Sequence, residues 1–307
     1  MRRCGASSAV AAGLVAGALA LVSAPVRPAP AVAPLPVPAQ ASAWELVVLG
    51  IAQDAGIPHL GCTQPLCTSI RAGTRRAERV ASLGLANRAT GRAYLFDATP
   101  DYVDQIHALT GGRPPDGIFL THAHLGHYTG LMYLGRESID AKGVPVYATE
   151  RMAAFLRDNG PWSQLVDRRN IELRVVVPDR AIDLGDGVRV TPMLVPHRDE
   201  LSDTVGYLIE GPATAALYIP DIDQWQKWPR SIRELADRVD LALLDGTFAS
   251  AEEIPGRSIA DIPHPLMPAT RERLRGTRAA LWFIHLNHTN RELDAADVVR
   301  EGQRFGM

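Results

Sequence analysis

Cysteine is scarce in this chain, with three residues in 307. Cys4 lies ahead of an apolar N-terminal run, so the body holds only Cys62 and Cys67, in Gly61-Cys62-Thr63-Gln64-Pro65-Leu66-Cys67. Without a second cysteine pair, a four-thiolate zinc site is excluded, and a structural zinc would need His59 or an aspartate as well. In an oxidising compartment the first expectation is a disulfide between Cys62 and Cys67. Clustered positive charge is also missing. Residues 1–43 hold Arg2, Arg3 and Arg27 and no acid, so a chain of formal charge −2 leaves its remainder at −5. An acidic body with no lysine or arginine cluster argues against a nucleic-acid partner. A small-molecule substrate is the expected partner.

The N-terminal apolar run, residues 9–22, is built from Ala, Leu, Val and Gly and is too short for a comfortable membrane span. With Arg2 and Arg3 before it, the run predicts a signal peptide over residues 1–24. An uncleaved anchor is the alternative, and the one route to a membrane. Six prolines and almost no charge between residues 24 and 43 predict an extended spacer over residues 25–43. The expected location is therefore periplasmic or secreted. Residues 44–307 are long enough for one large α/β domain.

Three of the nine histidines fall within six residues, in Thr121-His122-Ala123-His124-Leu125-Gly126-His127. The apolar stretch Gly117-Ile118-Phe119-Leu120 just before reads as a buried strand, and residues 131–137 as a helix just after. His122 and His124 leave the same face of an extended segment. A rigid strand end is a good metal platform, and neutral imidazole suits zinc and iron. A basic surface patch would carry Lys or Arg nearby, and residues 118–133 hold none.

Other apolar strands end in similar residues. The strand at residues 93–96 leads to Asp97, which suits holding the free N–H of a ligating imidazole and equally suits capping a helix over residues 101–109. Strands at 188–195, 215–219, 241–244 and 279–284 lead to His197, Asp221, Asp245 and His285. Ligand-type residues thus converge on strand ends, as an active site requires. The long loop 51–67 offers Gln53, Asp54 and His59 to the site, although Asp54 could as well cap a turn. A helix over residues 291–300 is expected to end the domain.

The histidine stretch resembles the His-x-His-x-Asp-His signature of the metallo-β-lactamase fold, with Gly126 where that family carries Asp. Gln53-Asp54-Ala55-Gly56 and His285-Leu286-Asn287-His288-Thr289-Asn290 look most like the branch containing the pyrroloquinoline quinone biosynthesis protein B. The resemblance implies an α/β four-layer αββα sandwich. It also implies that His122, His124 and His197 bind a first metal, that Asp221 bridges and takes part in catalysis, and that His127 and His285 bind a second. Asp97 would stand behind them. One or two zinc ions are implied, with iron or manganese as alternatives. A metal there brings the pKa of bound water to around 7 and supplies hydroxide.

Gly126 removes one carboxylate. This makes the second site weak or calls for a substitute, for which His288 is the leading candidate, ahead of Asp54 and Asp199. His264, between two prolines, reads as an exposed loop histidine, with a substrate contact as the alternative. The leading function is an exported hydrolase acting on an ester, lactone, phosphodiester or related substrate. An iron-dependent oxidoreductase and a non-catalytic metal-binding relative are the competing readings.

Overall fold

In the body, the central strands are apolar along nearly their whole length, so each can bury both of its faces. The computed structural model describes residues 43–254, 256, 258 and 262–307. The expected signal peptide and, but for Ala43, the spacer lie outside these residues. The chain runs β1 (Trp44–Gly50), α1 (Pro65–Arg71), β2 (Ser82–Asn87), β3 (Ala93–Phe96), α2 (Tyr102–Thr110), β4 (Gly117–Phe119), α3 (Leu125–Tyr128), β5 (Val144–Ala148), α4 (Glu150–Asp158), α5 (Trp162–Asp167), β6 (Ile171–Val175), β7 (Ile182–Gly185), β8 (Val188–Leu194), β9 (Val205–Glu210), β10 (Ala215–Ile219), α6 (Ile232–Ala236), β11 (Leu241–Asp245), α7 (Met267–Arg273), β12 (Ala280–Ile284) and β13 (Arg304–Gly306).

The strands form two sheets, ordered β13-β1-β2-β3-β4-β5-β6 and β12-β11-β10-β9-β8-β7. The two-residue period of each strand sorts its side chains between two apolar clusters. In β1, Leu46 and Val48 enter the core shared by both sheets, while Val47 and Leu49 join the outer cluster that holds Tyr102 and Ile106 of α2. In β10, Ala216 and Tyr218 point to the shared core, and Leu217 and Ile219 join Trp225, Trp228 and Ile232 of the opposite outer layer. Three clusters between four layers make the expected αββα sandwich.

Two sequence expectations fail. Residues 131–137 are not an α-helix: α3 starts directly after His124 and gives way to a 3₁₀ turn over Thr129–Leu134. The chain is drawn in at Gly130, where an added Cβ would lie 2.1 Å from the Thr99 carbonyl oxygen. Residues 291–300 form turns rather than a helix. There the Arg300 guanidinium bonds the carbonyls of Leu293, Val298 and Ala295, and Phe283 and Val298 form an isolated bridge.

Phe119 marks the centre of the shared core. Its ring stacks on Tyr147 at 4.4 Å and Phe96 at 5.1 Å and meets Tyr207 edge-on at 5.7 Å. Phe119→Ala is expected to cost about 3–5 kcal/mol of stability, read as a lower urea midpoint of the metal-free protein. A loss below about 1 kcal/mol would contradict this packing.

Candidate metal centre

Strand direction puts the polar strand ends on one edge. β3, β4 and β5 are mutually parallel, as are β10, β11 and β12, and β8 runs with β10 because both are antiparallel to β9. Their C-terminal ends deliver Asp97, His122, His197, Asp221, Asp245 and His285. Asp97 and His285 have φ of 65° and 66°, a left-handed conformation that costs a side-chain-bearing residue on the order of 1–3 kcal/mol. Backbone bonds hold both turns: Asp97 N–H to Phe119 O, Ala98 N–H to His127 O, and Leu286 N–H to Ile51 O.

Two donor sets meet there, and a third, Asp221, His264 and His285, overlaps them at Asp221 and His285. In the first, His122, His124, His197 and Asp221 bring ligand atoms within 4.8 Å of one another. His122 Nε2 lies 2.8 Å from His124 Nδ1, and His197 Nε2 lies 3.3 Å from it. Asp221 Oδ2 is 3.4 Å from His122 Nε2 and 3.2 Å from His197 Nε2. In the second set, Asp54, His127 and His285 converge. His127 Nε2 is 3.4 Å from Asp54 Oδ1, and Asp221 Oδ2 lies 4.0 Å from His127 Nε2 and 3.8 Å from His285 Nε2. Asp221 therefore stands between both sets.

The donors fit a small divalent ion. Tetrahedral bonds of about 2.0–2.1 Å set ligand atoms about 3.3 Å apart, close to most of these separations. Buried polar atoms are ordinarily hydrogen-bonded. Here His127 Nε2, His285 Nε2, Asp54 Oδ1 and Asp221 Oδ1 are buried without a hydrogen-bond partner.

A supporting layer turns the rings. His127 Nδ1 lies 2.7 Å from Asp97 Oδ2, and His122 Nδ1 lies 2.9 Å from Thr121 Oγ1. Thr121 gives its N–H and hydroxyl to Asp97, so one buried carboxylate aligns both. Across the cleft the arrangement repeats: Thr247 Oγ1 is 3.0 Å from His285 Nδ1 and donates to Asp245 Oδ1 at 2.7 Å. Sequence reading gives no role to Thr121 or Thr247, and Asp245 figures there only as a strand-end residue. The available signal is that Asp245 ends an apolar strand as Asp97 follows one.

Electrostatics follow from burial and from these pairs. Burial works against the Asp221 carboxylate, but His197, His285, His264 and His122 outweigh it and hold its pKa well below the usual range. His127 loses to burial and gains more from Asp97 and Asp54, so its pKa lies well above the ordinary value. Burial, together with positive His127, pushes His122 well down. Asp54 is opposed by burial and held low by His127 and His285.

Several candidates land elsewhere than expected. His288 stacks on His59, centroids 4.2 Å apart, and joins no donor set. It is not the substitute ligand among the described residues. Asp199 accepts a hydrogen bond from Thr204 at 3.0 Å and stays out of the cluster. Its neighbour Glu200 instead reaches His124 Nε2 at 3.2 Å. His264 is buried rather than exposed, with Nδ1 2.8 Å from Asp245 Oδ2 and 3.3 Å from Asp221 Oδ1. The room expected beside Gly126 is taken by Asp54. Cys62 and Cys67 are buried neighbours but unbridged thiols. Arg71 closes their loop without a covalent link, bonding the carbonyls of Cys62 and His59.

Comparison with known proteins agrees with this fold. The Beta-lactamase superfamily domain matches residues 92–285. Coenzyme PQQ synthesis protein B of Methylobacillus flagellatus is 27% identical over 280 residues, covering 79% of this chain and 89% of that protein. The same protein of Methylobacterium sp. (strain 4-46) is 26% identical, with 80% and 90% covered. Among solved structures, Zn(2+)-bound PqqB from Methylobacterium extorquens superposes with TM-score 0.73 at 21% identity, covering 86% of this chain and all of that one. A diphosphatase from the PhnP family gives 0.63 at 24%, covering 86% and 97%. The fold, the histidine run at the strand edge and the span of the match place this chain in the β-lactamase superfamily, on a branch similar to coenzyme PQQ synthesis protein B.

Proposed function

We propose that this chain is a metal-dependent hydrolase of a small ester, lactone, phosphodiester or related substrate, loaded with zinc and working outside the cytoplasm. The observation that carries the reading is the pair of donor sets around Asp221, with unpartnered ligand atoms converging on two points. Three imidazoles plus a shared carboxylate suit zinc. The export component rests on Arg2, Arg3 and the apolar run at residues 9–22.

A zinc ion, when bound, supplies Lewis acidity and makes water acidic near neutral pH. The chain's own residues do the rest. Asp221 sits where it can hold a proton-bearing nucleophile between the two histidine sets. A cavity of about 290 Å³ beside them is lined by Gln53, Arg198, Phe248, Ile262, His264 and Asn287, among others. Arg198 offers a positive charge to an anionic group there. Burial opposes the charged form of His264, but Asp245 and Asp221 raise its pKa to about 9. In the metal-free protein it thus favours its protonated form, with Nδ1 anchored on Asp245 where the ring lines the cavity.

Two expected outcomes test the reading. His122→Ala and His197→Ala should each lose bound metal and all hydrolysis across a panel of esters, lactones and phosphodiesters. Stoichiometric metal retained in both variants would overturn the ligand assignment. Asp97→Asn removes the acceptor for the His127 Nδ1 proton and should weaken metal binding about 10–100-fold, measured by competition with a chelating dye. Unchanged affinity would show that Asp97 does not orient His127.

A further inference from the structure

Gly126 and Asp54 lie 72 positions apart in sequence, yet they occupy one place in space. A Cβ built on Gly126 would fall 2.5 Å from Asp54 Cα, 2.5 Å from Asp54 Oδ1 and 3.1 Å from its Cβ. Gly126 carries no left-handed φ, so its backbone does not call for glycine. Glycine in a helix costs roughly 0.5–1 kcal/mol relative to alanine. What glycine gives here is room, and the Asp54 side chain fills it.

From the coincidence of these two residues, we infer that Asp54 is the carboxylate ligand of the second metal ion, moved from the α3 turn to the loop after β1. The inference rests on the proposed function, with each of the two donor sets around Asp221 taken to hold its own ion. Three observations support it. Asp54 Oδ1 is buried, has no hydrogen-bond partner, and lies 3.4 Å from His127 Nε2. Its backbone is locked to the segment that carries His285: Gln53 N–H donates to Leu286 O at 2.8 Å, Leu286 N–H donates to Ile51 O at 2.8 Å, and the Asn287 side-chain amide donates to Gln53 Oε1. Ala52 also bridges both Val80 and Leu286. The carboxylate is therefore set against His285 by main-chain bonds close to each in sequence, which is the preorganisation a ligand needs.

The relocation keeps the charge of the site. Asp54 and Asp221 bring two carboxylates to the second ion, as many as the family's own aspartate would bring together with Asp221. It also makes the two positions mutually exclusive. An aspartate in place of Gly126 meets Asp54 backbone as well as side chain, so restoring the family's residue would displace the working ligand.

The test is zinc titration of metal-stripped protein against a competing chelator, with far-ultraviolet circular dichroism to verify folding of each variant. The natural protein is expected to take two zinc ions. Asp54→Ala should keep one and bind the other at least about 100-fold more weakly. Asp54→Asn, nearly the same shape, should weaken it in the same direction and guards against a folding defect. Gly126→Asp should also lose the second ion. If Asp54→Ala and Asp54→Asn bind two ions as tightly as the natural chain, or if Gly126→Asp binds the second ion more tightly, the relocation is wrong while the two-ion reading stands. If the natural chain takes fewer than two ions, the two-ion reading fails first and the inference falls with it.

Discussion

Everything at this sheet edge depends on one buried carboxylate surrounded by imidazoles. Asp221 is 2% exposed and has His122, His197, His264 and His285 within 3.2–3.8 Å. Removing a carboxylate from water is costly unless it is paired or coordinates a metal. Protons on the histidines can balance it, yet His127 Nε2 and His285 Nε2 face it without a hydrogen-bond partner. Polar atoms that converge without bonding one another are poor packing for a structural core and good packing around cations. The same arrangement explains why metal binding should release protons: His127 carries a raised pKa without metal, and ligands must deprotonate to bind.

The sandwich makes this cluster tolerable. Two sheets with parallel inner strands bring six strand ends to one edge, and the supporting bonds are built symmetrically on each side. Asp97 with Thr121 serves the first sheet, and Asp245 with Thr247 serves the second. The sheets are also tied across the cleft, by Val205 N–H to Thr121 O and by the Tyr207 hydroxyl to Leu120 O. Ligands rigidly held by strands and cross-sheet bonds can be kept in place without the ion, at the expense of two left-handed residues, Asp97 and His285.

Much of this is legible in the residues. The two-residue alternation in β1 and β10 sets both faces of each sheet, and the run from His122 to His127 marks the site. His197, Asp221 and His285 stand out because each follows an apolar strand. The final helix fails because its period-like pattern at residues 291–300 is overruled by Arg300 binding local carbonyls. His264 misleads because prolines on both sides suggest a surface loop, whereas Asp245 and Asp221 draw it inward. Asp54 is underrated for a different reason. Its loop reaches Gly126 only through tertiary backbone bonds to Leu286, and no local pattern announces a contact across 72 residues. His288 is overrated by closeness in sequence to His285, yet it pairs with His59 instead.

The most direct measurement is a crystal structure of zinc-loaded protein with anomalous data collected on both sides of the zinc edge. Two anomalous peaks are expected roughly 3.5–4 Å apart, one within bonding distance of His122, His124 and His197, the other of His127, His285 and Asp54, with Asp221 between them. A zinc peak away from these histidines, or none at this edge, would contradict the assignment of the cluster as a metal centre.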